Sequence, residues 1–182
     1  FASPDGRKVA AALSQGGSEA ASLFVYDAVT GKQIAGPLER TDPGFVAWRE
    51  DSTGLYVTRL KALAPGDADV EKYRDSVLAY WDLKTEPRPV LGSTVGHGPA
   101  FLPDETPALM LWPGAPLALG ASYNGVQSEL ALWSAPVAKL NEPTVAWTAF
   151  AKREDEITAV DAAGDRLYLL SHKNAPTFQV LS

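Results

Sequence analysis

Apolar residues in this chain come in short runs broken by polar, Gly and Pro clusters, which is the signature of strands and turns. Four segments share one shape: a strand-like run, a polar or Gly-rich loop, and a second apolar run that stops at Asp or Ser. The first joins Lys8 to Ser14 with Leu23-Phe24-Val25-Tyr26-Asp27 across Gln15-Gly16-Gly17-Ser18-Glu19. The second pairs Leu55 to Leu60 with Leu78-Ala79-Tyr80-Trp81-Asp82, and the third pairs Leu117 to Tyr123 with Leu130 to Ser134 around Asn124-Gly125. The fourth joins Asp165 to Ser171 with Phe178 to Ser182. The second runs end at residues 27, 82, 134 and 182, at intervals of 55, 52 and 48. A period near 50 suits four-stranded propeller blades better than the shorter turns of a solenoid. Flanking strands are expected at Phe45 to Trp48, Val145 to Thr148 and Ile157 to Val160. The fold class is therefore all-β: a partial β-propeller of about four blades with antiparallel strands, one unit over residues 1–182.

Turn chemistry supports that organisation. In Ser3-Pro4-Asp5-Gly6-Arg7, Pro fixes φ and Gly accepts a positive φ, and the turn feeds directly into Lys8 to Leu13. Degenerate copies are read at Arg49 to Gly54, Leu102 to Glu105 and Asp161 to Asp165. The Pro-studded stretch from Pro103 to Pro116 reads as an irregular connection. The best helical candidate, Asp67 to Asp75, has room for two turns at most and reads as a solvated loop.

Composition narrows the function classes. A net charge of −6, with no concentration of Lys and Arg, argues against nucleic acid and anionic membranes as partners, and no 18-residue apolar run offers a membrane span. The absence of Cys removes disulfides, thiolate zinc sites and a Cys nucleophile, and leaves cytoplasmic and periplasmic locations equally open. The chain opens on Phe1-Ala2-Ser3-Pro4 with no initiator Met and closes on the strand-like run Phe178 to Ser182, so a piece of a longer chain is expected.

No constellation with catalytic spacing emerges. Gly92-Ser93-Thr94-Val95-Gly96 is the nearest string to a nucleophile elbow, but it would put Thr94 at the nucleophile position and has Pro99 and Pro103 where a helix should follow. His97 and His172 read as loop histidines. Asp67-x-Asp69-x-Glu71 opens like a calcium loop but continues with Lys72 and Leu78 where Gly and Glu are needed. Glu154-Asp155-Glu156 reads as a solubilising turn, and the Trp and Tyr residues read as strand residues packing between blades. No catalytic, cofactor-binding or metal-binding residue is assigned, and no cofactor.

Several strings together resemble the propeller of the prolyl oligopeptidase family. They are Ser3-Pro4-Asp5-Gly6-Arg7-Lys8-Val9-Ala10, Gly16-Gly17-Ser18-Glu19, Val25-Tyr26-Asp27 with Thr30-Gly31-Lys32, Val46-Ala47-Trp48 with Gly54 to Arg59, and Gly164 to Leu170 followed by Lys173-Asn174-Ala175-Pro176. The resemblance implies a serine peptidase whose seven-bladed propeller caps an α/β-hydrolase domain bearing a Ser-Asp-His triad, and admits only short peptides. This chain would supply about four of those blades, none of the triad and no activity of its own. Its implied partners are the hydrolase domain of the parent chain, peptide substrates met through that enzyme, and a second copy through uncovered blade faces. Ser-Pro-Asp-Gly turns also occur in TolB-like propellers, for which the alternative role is a protein-interaction scaffold.

Overall fold

The computed structural model describes residues 1–14, 21–164 and 166–182, and the backbone but not the side chain of Pro43. The Gln15 to Glu19 loop and Asp165 lie outside the described residues. Among the described residues thirteen strands follow one another in meander order: β1 Lys8–Ser14, β2 Ala21–Asp27, β3 Gln33–Trp48, β4 Leu55–Arg59, β5 Val77–Trp81, β6 Arg88–Gly92, β7 Glu105–Met110, β8 Leu117–Asn124, β9 Ala131–Pro136, β10 Thr148–Ala151, β11 Ile157–Ala163, β12 Arg166–Ser171 and β13 Gln179–Leu181. Every pairing is antiparallel and between chain neighbours, as short connections allow. The all-β propeller architecture expected from the hairpin period is the one observed.

The four hairpins of the sequence are β1–β2, β4–β5, β8–β9 and β12–β13, the middle pairs of four successive blades. An inner strand precedes each pair. Phe1–Ser3 lies beside β1 through the Ala2–Val9 bridge, and β7 and β11 open the third and fourth blades. The first two blades form one six-stranded sheet, because β3 pairs with β2 through its first half and with β4 through its second, its register shifting between Asp42 and Val46. One strand is thus the outer edge of the first blade and the inner edge of the second.

The segment Pro103–Pro116 corrects the sequence reading, since it contains β7, a largely buried inner strand. Pro107 is tolerated because β7 is a sheet edge, where a missing N–H breaks no ladder on its open side. Leu102–Glu105 is a tight turn, Glu105 N donating to the Leu102 carbonyl at 3.1 Å, but it leads into β7, and the turn between β7 and β8 lies at Trp112–Pro116. The last strand of the third blade begins at Thr148, leaving Val145 buried in the preceding loop. Trp112 and Trp147 lie outside strands, and Tyr73 lies in the 3-10 turn Asp69–Tyr73.

Three apolar layers lie between the blades. Leu23 and Val25 meet Trp48, Leu55, Val57 and Trp81 between the first and second. Tyr56, Leu78 and Leu91 meet Phe101, Leu109 and Leu140 between the second and third. Ala121, Leu130 and Leu132 meet Ile157, with Leu169 alongside, between the third and fourth. Because β4 has a blade on each side, all five of its residues are buried, and period-two alternation decides only which neighbour each one faces.

Candidate functional site

Alternating strand direction puts connections of one kind at each end of the blades. Turns between first and second strands, and between third and fourth, share one end, here the turn face. Connections between second and third strands, and from one blade to the next, share the other, the loop face.

The turn face is capped by carboxylates. Asp27 Oδ1 accepts the amides of Val29 and Thr30 and the Thr30 hydroxyl at 3.1, 2.7 and 2.8 Å. Asp82, at the same point of the next blade, accepts Lys84 N, Thr85 N and Thr85 Oγ1 at 2.9, 2.7 and 3.0 Å. These bonds hold both carboxyls below the ordinary aspartate value, the amide of the Thr being the largest cause in each. The Asp that ends each of the first two hairpins is therefore an Asx cap on the following turn. In the turns after the inner strands, Asp5 accepts the Ser3 hydroxyl and the Arg7 amide, while Asp51 accepts Arg49 at 3.1 and 2.6 Å together with the Thr53 amide and hydroxyl. The Arg49 hydrogen bond is the largest cause lowering Asp51 to about 2.

The inner wall is apolar. Phe1, Val46, Leu109, Met110 and Val160 border an open cavity of about 740 Å3 along the innermost strands. It shares Pro4, Trp48, Leu111, Trp112 and Pro113 with a cavity of about 550 Å3 at the turn face, which Arg49, Glu50, Tyr56 and Asn141 complete. Tyr56 is pushed up to about 12, chiefly by burial, and its neutral hydroxyl lies 3.4 Å from Asn141 Oδ1. Hydrophobic walls with a few placed polar groups suit an organic ligand or peptide better than an ion.

The loop face is different in kind. Leu63, Val70, Tyr73, Leu102, Val126 and Phe178 are exposed in its connections, whereas Val29 is the exposed large apolar residue among the described turns of the opposite end. Val70 and Leu102 are 67% and 58% exposed, so neither belongs to the core.

The residues singled out from sequence are scattered around this frame. Thr94 lies in the connection after β6, where Ser93 Oγ donates to Asp75 and no helix follows, so the elbow geometry is missing. His97 is in the same connection, its Nδ1 buried without a partner. The carboxylates of the calcium-like string are committed locally: Asp67 accepts Ala64 N, Asp69 pairs with Lys72 and Glu71 with Arg74. Glu154-Asp155-Glu156 proves to be more than a solubilising turn, because Asp155 pairs with Lys173 and Glu156 with His172. His172 also reaches Glu129, and Arg153 bonds Glu105 and Ser122. Sequence reading missed Glu105, Glu129 and Arg153, whose partners lie 24 to 48 residues away with no local pattern linking them.

Comparison with known proteins agrees with this architecture. Residues 1–78 match the family model described as the prolyl oligopeptidase N-terminal beta-propeller domain. Prolyl oligopeptidase B from Galerina marginata, in its apo structure, superposes on 99% of this chain at 17% identity with a TM-score of 0.76. A prolyl endopeptidase studied for the role of inter-domain dynamics in catalysis and specificity superposes on 99% at 23% identity with a TM-score of 0.77. At these identities the likeness is one of fold. The chain spans about a quarter of the length of each, 26% and 25%. No curated protein matches the sequence.

Proposed function

We propose that this chain, with a prolyl-oligopeptidase N-terminal propeller signature over residues 1–78 and that propeller's fold almost throughout, is part of the substrate-restricting domain of a serine peptidase acting on short peptides. The carrying observation is the apolar wall of Phe1, Val46, Leu109, Met110 and Val160 along the innermost strands, which supports a narrow axial passage with few groups to hold a polar chain. The hydrolase domain belongs to the parent polypeptide, and the exposed apolar residues of the loop face support that end as its seat. The chain alone is inactive and its blades act as one unit over residues 1–182.

Two measurements test this. The purified chain is incubated with a proline-containing chromogenic peptide, and no turnover is expected; turnover abolished by a serine-directed inhibitor would overturn the assignment of inactivity. The reading frame that contains the chain is then expected to encode a Gly-x-Ser-x-Gly hydrolase domain. A frame holding a propeller alone would refute the peptidase reading and favour a scaffold.

Uncovered blade faces supply the second contact proposed. Val9, Ala11, Leu13, Phe24 and Tyr26 share one face of the first blade, and Leu170 and Val180 are cross-strand partners in the fourth. Internal blades cover equivalent faces with one another, so a second copy offers the complementary surface.

A further inference from the structure

Charged side chains close the seam between the third and fourth blades at the loop face. Arg153, in the connection into the fourth blade, places Nη2 2.7 Å from both Glu105 Oε1 and Ser122 Oγ, and its Nη1 donates to the Glu129 carbonyl. Lys173 pairs with Asp155 at 2.8 Å and also lies within reach of the charges of Glu156 and the exposed Glu154, while Lys152 adds its charge beside Asp155. Arg153 and Lys173 thus make their direct ion pairs with Glu105 and Asp155. Glu129 and Glu156 both turn to the ring of His172: Nε2 is 2.9 Å from Glu129 Oε1, and Nδ1 is 3.0 Å from Glu156 Oε2. Ser128 Oγ supports Glu129 at 3.2 Å, and Phe178 packs edge-on against the imidazole, centroids 5.4 Å apart.

A neutral imidazole carries one N–H, and its other nitrogen presents a lone pair. A lone pair 3.0 Å from a carboxylate oxygen is repelled, so both contacts are attractive only when the ring carries both protons. We propose that His172 is a proton-dependent latch: as an imidazolium it ties Glu129 of the third blade to Glu156 at the entry of the fourth, and on losing a proton it releases one of them. Its ring hydrogen bond is the largest cause holding the Glu129 carboxyl below the ordinary glutamate value, so the acceptor on the third blade is a carboxylate. The latch is closed while the ring carries both protons and opens when one is lost. Glu156 stays beside the ring because its carbonyl accepts the His172 amide at 3.2 Å, so the contact released is the one to Glu129 across the blades, and the latch's state sets how firmly the fourth blade is held at the loop face.

Amide hydrogen exchange of the 182-residue protein at about pH 5.5 and about pH 8, corrected for intrinsic rates, tests the latch. Protection in β11, β12 and β13 is expected to fall about three- to tenfold at the higher pH relative to β4 and β5. His172→Gln and Glu129→Gln should each abolish that difference, while His97→Gln should retain it. Equal relative protection at both pH values in the unaltered protein, or a difference that persists in His172→Gln, would overturn the proposal. If β4 and β5 also lose protection in His172→Gln, Glu129→Gln decides.

Discussion

Asp51 shows how one side chain fixes a turn. Its carboxylate takes the Arg49 guanidinium in two bonds and the Thr53 amide and hydroxyl in two more, while Arg49 lies over the Tyr80 ring at 5.6 Å. Since the folded-state value, about 2, lies below the ordinary 3.8, the carboxylate contributes stability that is fully present above the ordinary value and is lost as pH falls through both. Asp51 is 47% exposed, so solvent screening keeps the effect small. Asp51→Asn should lower stability at neutral pH by about 0.5 kcal/mol, with the gap to the native protein closing progressively between about pH 4 and about pH 2, as urea titrations at several pH values would show. The sequence displayed this turn, because Asp, Ser, Thr and Gly cluster before an apolar run. It could not display the Arg49–Tyr80 stacking, which depends on how the next hairpin folds back.

Among the strands, β7 is where sequence and structure part. Alternation exposed every hairpin, since Val, Leu, Tyr and Trp mark both strands of each. Pro107 hid β7, because proline disqualifies a central strand and only the fold reveals that this strand is an edge. A compensating contact crosses the blade boundary: Thr58 Oγ1, fully buried on β4, donates to the Pro107 carbonyl at 2.6 Å. Thr58→Val keeps the shape and removes the donor, and is expected to cost about 1 kcal/mol in chemical denaturation, with unchanged secondary structure by circular dichroism. Full retention of stability would mean that this bond contributes nothing net to the seam. The Arg153 and His172 contacts were equally invisible, for a different reason: they join connections of two blades, and sequence carries no register between connections.

Across the whole molecule, three interblade layers are filled and the two outermost faces are not. Leu13 is 51% exposed and Val180 is 65% exposed, whereas β4 and β8, the second strands of the inner blades, are mostly buried. Leu13→Lys and Val180→Lys should shift the protein toward monomer in sedimentation velocity at tens of micromolar, about the range where weak interfaces populate. A native protein already monomeric there would rule out pairing between copies. The hairpin period anticipated the number of blades because each repeat must bury two faces against its neighbours. It gave no hint that the first two blades share a strand.

That sharing by β3 bears on how such a chain can be rearranged genetically. Exchange of a blade requires crossover points in connections that belong to neither ladder, and residues 93–104 provide one after the second blade. Between the first and second blades the chain offers no such connection: β3 runs from Gln33 to Trp48 with only residues 43–45 bulging between its two ladders, so a crossover there divides a strand and leaves both sheets with an unmatched edge. The first two blades are accordingly expected to be exchanged together, with a break after β6 better tolerated than one within β3.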